Sequence, residues 1–220
     1  MTLIRLFDLS LSICALVALS PLLLSIALII YFSGDGEIIF RQDRAGQNGK
    51  IFRIYKFATM AKNSESMGAG LFTEKNDDRI LPFGKWLRRT RINELPQFFN
   101  VVKGDMSMVG FRPFVRSTYL KAADLSEKGA YTMKPGLTSI ASIIGIDYEE
   151  SLSDFEDREH YYFSKILPEK VRIEDWWAEN ISVKYYWLVI VWTVIAVVFP
   201  NRKFPVDMFR GLEDTLGELK

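Results

Sequence analysis

From Leu9 to Gly34 the chain carries no charge. Asp8 and Asp35 bracket a run made mostly of Leu, Ile, Val, Ala and Phe. A run of that length reads as a helix immersed in lipid. It is not a secretory leader, because the apolar part is too long and no small-residue cleavage site follows it. Ser20-Pro21 interrupts it. Proline brings no N–H and collides with the carbonyl four residues back, so a helix kinks or breaks there. Each half is then roughly 12 residues, about 18 Å of helix against a hydrocarbon core of about 30 Å. Two arrangements satisfy these lengths: a kinked span, or a helix that enters, turns at Ser20-Pro21 and leaves by the same face. The flanking charges, Arg5 and Asp8 before and Asp35 and Glu37 after, set no orientation. Carbonyls freed at the break have the hydroxyls of Ser20 and Ser25 at hand.

The remainder has the make-up of a folded domain, since the 220 residues are 49% hydrophobic and 25% charged. A net charge of +1 offers no polycationic surface for nucleic acid. One cysteine (Cys14) and one histidine (His160) exclude an internal disulfide and a zinc site built from those ligands. Glu37–Gln42 and Lys50–Phe57 read as strands of a hairpin, with Asn48-Gly49 supplying turn chemistry between them. Residues 61–79 are polar and read as a loop. Leu81–Thr90 has helical character with Lys85, Arg88 and Arg89 on a basic face, and Asn93–Val102 reads as a helix ended by Lys103-Gly104-Asp105. Gly110–Pro113 and Lys134-Pro-Gly136 break the chain. Residues 147–180 are acidic and aromatic, with a helix around Asp154–Ile166. Tyr185–Pro200 is uncharged and, at about 24 Å of helix, short for a span. Lys184, Tyr185, Tyr186, Trp187 and Trp192 suit an interfacial helix near 184–200, and a buried core helix is the alternative.

The densest polar cluster is Arg88-Arg89-Thr90-Arg91-Ile92-Asn93-Glu94-Leu95-Pro96-Gln97. Pro96 is tolerated in a first helical turn, which predicts a helix start near Asn93. Free amides and the positive dipole end would then face Arg88, Arg89 and Arg91, an arrangement that attracts a diphosphate. The same residues also suit a plain helix start, with Asn93 as the N-cap and Glu94 complementing the dipole. Arg112, ahead of Pro113 in a rigid turn, has the fork to grip phosphate bidentately, and Lys56 adds a point charge.

Taken together, these segments resemble the bacterial sugar transferase family, the monotopic polyprenyl-phosphate phosphoglycosyl transferases. The resemblance runs through Arg5, Asp8, Ser20-Pro21, Phe40-Arg-Gln-Asp-Arg44 and Tyr55-Lys-Phe57. It is strongest at Asn93-Glu-Leu-Pro-Gln-Phe-Phe-Asn-Val-Val-Lys-Gly-Asp-Met-Ser107 and Val109-Gly-Phe-Arg-Pro113. It continues more weakly through Lys134-Pro-Gly-Leu-Thr138 and Trp177-Ala-Glu-Asn-Ile-Ser182.

The resemblance implies an α/β fold: a re-entrant membrane helix over 1–34, and a catalytic domain over 35–220. That domain would be mostly helical, with a small β-hairpin and interfacial amphipathic helices, lying on the cytoplasmic face of the bacterial inner membrane. It implies transfer of a sugar-1-phosphate from a UDP-sugar to polyprenyl (undecaprenyl) phosphate. UMP is released, magnesium is the cofactor, and the product is the first intermediate of surface glycan (lipopolysaccharide or capsule) assembly. A homodimer is one further partner considered, and nucleic acid is not expected.

By the same resemblance Glu94 and Asn93 are the catalytic and metal-holding positions, and Lys56, Arg88 and Arg112 bind substrate. The family's usual Asp-Glu dyad is Asn93-Glu94 here, and an amide is no nucleophile at phosphorus. Three outcomes follow from that: Glu94 takes the nucleophilic role, the lipid phosphate attacks directly, or the chain is a weakly active or inactive scaffold that binds donor or lipid. Phe111 in place of a proline, Ser139-Ile-Ala-Ser142 in place of Gly-Leu-Ala-Gln, and the acidic Asp147–Leu167 are further departures.

Overall fold

The computed structural model describes residues 3–33, 36–60, 79–145, 157–199, 202 and 204–216. Residues 61–78 of the loop expected over 61–79 and the first part of the acidic segment, 147–156, lie outside them.

Two helices, α1 (Leu3–Ala18) and α2 (Ser20–Ser33), meet at a 61° bend. No single helix among the described residues is long and apolar enough to cross a bilayer, although this bent pair together is. Pro21 leaves the Val17 carbonyl without its helical donor, and the Ser20 hydroxyl donates to that carbonyl at 2.8 Å. One turn on, the Ser25 hydroxyl donates to the Pro21 carbonyl at 2.8 Å.

The helix starts ahead of the uncharged run and takes in Arg5 and Asp8, because the folded domain satisfies both charges. Arg5 donates to the carbonyls of Val101 (2.7 Å) and Val102 (3.1 Å). Asp8, 2% exposed, accepts from the Ser107 hydroxyl, the Met108 N–H and the Tyr186 hydroxyl, each at 2.9 Å. One face of α1, including Ile4, Phe7, Leu11 and Ala15, packs on the main core, while Leu3, Leu6, Ile13 and Val17 face outward. In the same way α2 buries Ile26 and Ile30 against Phe57 and Leu87, and exposes Leu24, Leu28, Ile29 and Phe32.

Strands β1 (Ile39–Ala45) and β2 (Ile51–Phe57) form the expected antiparallel hairpin, in register from Ile39↔Phe57 to Ala45↔Ile51. Left-handed Asn48 (φ 54°) and Gly49 (φ 72°) turn the chain between them. β1 outruns its predicted end at Gln42, and the Ala45 N–H finds a distant partner in the Phe114 carbonyl at 2.8 Å. After α3 (Pro82–Arg89), α4 (Gln97–Lys103) docks on the free edge of β2 through one side chain. Fully buried Asn100 accepts from the Tyr55 N–H (3.0 Å) and donates to the Arg53 carbonyl (2.7 Å), as a third strand would.

Strand β3 (Ser107–Val109) leads through Arg112 to α5 (Arg116–Leu125), and β4 (Gly136–Thr138) pairs back on β3 in parallel. A Cβ on Gly110 would sit 2.4 Å from the Lys134 carbonyl oxygen, and one on Gly136 would sit 2.1 Å from the Gly110 nitrogen. The two breaks seen in the sequence are therefore one close backbone crossing. The expected mostly helical domain with a small hairpin is found; the α/β label is narrowed, since the strands among the described residues form only that hairpin and one two-stranded parallel pair, with no layered sheet.

The remaining helices are α6 (Ile140–Ile144), α7 (Arg158–Tyr161), α8 (Leu167–Asn180), α9 (Val183–Val198) and α10 (Leu212–Thr215). A π turn at Tyr162–Ile166 joins α7 to α8, just ahead of Pro168, which has no N–H to give an α-helix. Of the helix expected over Asp154–Ile166, residues 154–156 are outside the described set, and the visible part starts at Arg158. Trp176 and Trp177 are core residues, and His160 is exposed. Helix α9 buries Tyr186 and Val189 in the core, as the core-helix alternative for 184–200 expects, and leaves Val191, Val194, Val197 and Val198 exposed.

One core carboxylate stands out. Glu174 is 3% exposed and its Oε2 has no hydrogen-bond partner. Burial pushes its carboxyl up to about 7, against opposing help from Ser139 and Lys170. The folded value lies above the ordinary 4.5, so ionising Glu174 erodes stability as pH rises from about 4.5 through 7. Glu174→Gln is expected to match the wild type near pH 5 and to be more stable by about 2–3 kcal/mol at pH 8. Denaturant unfolding at both pH values checks this, and a stability difference independent of pH refutes it.

Candidate active site

The segment that carries Glu94 is built by two chain reversals. Helix α3 ends at Thr90, whose hydroxyl donates to the Trp86 carbonyl at 2.9 Å. Arg91 then takes a left-handed conformation (φ 57°) and turns the chain into a 3-10 turn, Ile92–Glu94. Pro96, with no N–H, separates that turn from α4, which begins only at Gln97. The helix expected over Asn93–Val102 is therefore present as α4 from Gln97, and its expected first turn is a tight 3-10 turn instead. Asn93 is buried inside it and caps nothing. The short α4 starts beyond Glu94, so the positive groups around Glu94 are side chains and not a helix terminus.

Those side chains arrive from three directions. Lys56, near the end of β2, places its ammonium 2.7 Å from Glu94 Oε1. Arg112, in the turn after β3, reaches the same oxygen at 3.4 Å. Phe111, the residue that departs from the family pattern, is fully buried with its ring 4.7 Å from that of Tyr131, so it anchors the turn that presents Arg112. Strand alternation puts Gln42 and Arg44 on the hairpin face that carries Lys56. Arg44 donates to Gln42 and, at 3.4 Å, to the Pro113 carbonyl.

Sequence reasoning passed over Arg44 as a site residue, although the alternation Phe40, Gln42, Arg44 opposite Lys56 was a usable signal. Arg88 lies in the last turn of α3, ahead of the Arg91 reversal. The other departure, Ser139, is the N-cap of α6, its hydroxyl accepting from the Ser142 N–H at 2.9 Å.

The electrostatics have one sign. Burial by itself would raise the Glu94 carboxyl, but Lys56, Arg112 and Arg91 outweigh it and hold the group well below the usual carboxylate range. Burial, with Arg112 and Arg44 adding like charge, pushes the Lys56 ammonium below its ordinary value despite Glu94. An ionised carboxylate thus sits among Lys56, Arg91 and Arg112, with Arg44 close by. Such a site can receive a multiply charged anion and present an oxygen nucleophile to it. No group of three or more His, Cys, Asp or Glu side chains gathers among the described residues. Of the expected metal-holding pair, Asn93 and Glu94, the single carboxylate already pairs with Lys56 and Arg112, so a hard cation held there would take most of its shell from phosphate and water.

A profile of the bacterial sugar transferase family matches residues 1–200. The undecaprenyl-phosphate galactose phosphotransferase of Salmonella typhimurium is 32% identical over an alignment of 217 positions that covers 90% of this chain and 39% of that protein. The undecaprenyl-phosphate glucose phosphotransferase of Komagataeibacter xylinus is 38% identical over 146 residues, 64% of this chain and 27% of the relative. The exopolysaccharide production protein PSS of Rhizobium leguminosarum is 36% identical over 149 residues, 64% of this chain and 74% of its own length. The chain belongs to the bacterial sugar transferase family. It spans well under half the length of the two phosphotransferases.

Proposed function

We propose that the chain transfers a sugar 1-phosphate from a UDP-sugar to polyprenyl (undecaprenyl) phosphate, releasing UMP and beginning assembly of a surface polysaccharide. The observation that carries this reading is Glu94, held ionised beside Lys56 and Arg112 in the segment most like the family. The named activities of the phosphotransferase relatives support it. In this scheme Arg112 and Lys56 take the donor diphosphate in charge-assisted hydrogen bonds. The Glu94 carboxylate attacks the phosphorus that bears the sugar, and the bond from that phosphorus to the UMP oxygen breaks. A lipid phosphate oxygen then attacks the same phosphorus, and the carboxylate leaves. Asn93 and Glu94 would hold magnesium, which supplies charge neutralisation on the diphosphate when bound.

The exposed apolar faces of α1, α2 and α9 favour seating at a membrane, and the bend at Ser20-Pro21 favours entry and exit by one face; the cytoplasmic side is the one the family resemblance implies. Tags at the two chain ends are expected to be labelled from the same side of inner-membrane vesicles, and labelling from opposite sides overturns the monotopic arrangement. For activity, purified chain in detergent with undecaprenyl phosphate, magnesium and a panel of UDP-sugars is expected to release UMP from at least one donor. No UMP release from any donor in the panel sinks the proposal.

Arg112→Ala and Lys56→Ala each remove one charge-assisted contact of about 1.5–3 kcal/mol, so donor affinity is expected to fall about 10-fold to 150-fold. Titration calorimetry with UDP-sugar reads this, and wild-type affinity in either variant removes that residue from the donor site.

A further inference from the structure

We propose that Arg44 is a positioning residue of this site: it ties the Arg112 turn to the hairpin, so that Arg112 and Lys56 close on one anion. This inference rests on the functional reading above and concerns the donor diphosphate. Arg44 stands on β1 on the face that carries Lys56, and its fork is used in two directions. One side, Nε and Nη2, is held by the Gln42 carboxamide oxygen two residues back along the strand. The other, Nη1, donates to the carbonyl of Pro113, the residue after Arg112. The next rung repeats the tie through the backbone, where the Ala45 N–H donates to the Phe114 carbonyl at 2.8 Å. From the far side, buried Phe111 pins the same turn, and its carbonyl accepts the Gly136 N–H at 2.8 Å. Arg112 is thus clamped before and after. The clamp on its C-terminal side is the only one of these made by a charged side chain of the hairpin.

Two cations that must meet one diphosphate need their separation fixed before the ligand arrives, since ordering them on binding costs affinity. Lysine at position 44 keeps the charge but has no fork, so it cannot hold Gln42 and Pro113 together.

A double-mutant cycle on the full chain in detergent tests this, using UDP and inorganic pyrophosphate as probes and calorimetric affinity as the readout. Arg44→Ala is expected to weaken UDP binding about 10-fold, and in an Arg112→Ala background about 2-fold or less, because its effect passes through Arg112. Arg44→Lys and Gln42→Ala are expected to lose several-fold each while keeping the wild-type melting temperature within about 3 °C. In turnover assays the loss is expected mainly in donor KM, with kcat less affected. Additive losses in the cycle, full rescue by Arg44→Lys, or wild-type affinity in Gln42→Ala and Arg44→Lys overturn the proposal. If the wild type binds UDP but releases no UMP from any donor, the functional reading fails while the cycle still decides the role of Arg44. Binding of neither probe overturns both.

Discussion

Glu94→Gln is expected to reduce UMP release by on the order of a thousandfold or more, with donor affinity falling far less. The amide keeps the shape and one acceptor oxygen, so it can still face Lys56 and Arg112, but it has no charge with which to attack phosphorus. The substitution also leaves two cations in a half-buried site without their anion, which carries a stability cost of its own. Thermal unfolding measured beside the kinetics separates the two effects: the Glu94 variant should remain folded at the assay temperature while turnover is lost. The depressed carboxyl of Glu94 adds stability that is fully present above its ordinary value of about 4.5 and disappears only as pH falls far below it. The stability deficit of the variant should therefore be constant from pH 6 to 8 and shrink in acid. Activity within tenfold of wild type would mean that the lipid phosphate attacks directly. Asn93→Asp sharpens the comparison, because a large gain in turnover would show that the amide holds the natural site back.

The second large effect is on the fold. Asp8→Ala removes the acceptor of three hydrogen bonds in a site 2% exposed. It strands the Met108 N–H and the hydroxyls of Ser107 and Tyr186, and takes from Arg5 its neighbouring carboxylate at 4.0 Å. Losses of this kind cost about 3–5 kcal/mol. For a chain of this size that is a fall of about 8–15 °C in melting temperature. Tyr186→Phe, which deletes one of the three donors, should cost about 1–1.5 kcal/mol. Differential scanning measurements in one detergent decide it, and a shift below about 3 °C for Asp8→Ala would mean that water replaces the carboxylate at no loss.

What could be read in advance follows the range of the interactions. The hairpin was visible because Asn48-Gly49 and the flanking strand residues act within a dozen positions of one another. The break at Ser20-Pro21 was visible for the same reason, since proline and the serine that repairs it are neighbours. The helix predicted from Asn93 begins four residues late on a local matter: the left-handed Arg91 opens a 3-10 turn, and Pro96, without an N–H, stands at the N-cap of α4 and not inside its first turn. The site itself joins Glu94 to Lys56 and Arg112 across 38 and 18 residues, and nothing in their spacing shows that they meet. Only the resemblance brought them together. Asp8 was read as marking where an apolar run ends, because its donors lie 99, 100 and 178 residues away. The parallel pair β3–β4 escaped notice because its strands are three residues each and bordered by glycine, proline and turn residues.

The Asp8 network has a practical consequence for handling the protein. A conventional membrane tether can be cut away to leave a water-soluble enzyme. Here the first helix supplies both a buried carboxylate and a share of the interior, so a truncation beginning after Ser33 would expose the underside of the core and leave Tyr186, Ser107 and Met108 without their shared acceptor. Versions designed for crystallisation or screening should keep the amino-terminal pair of helices.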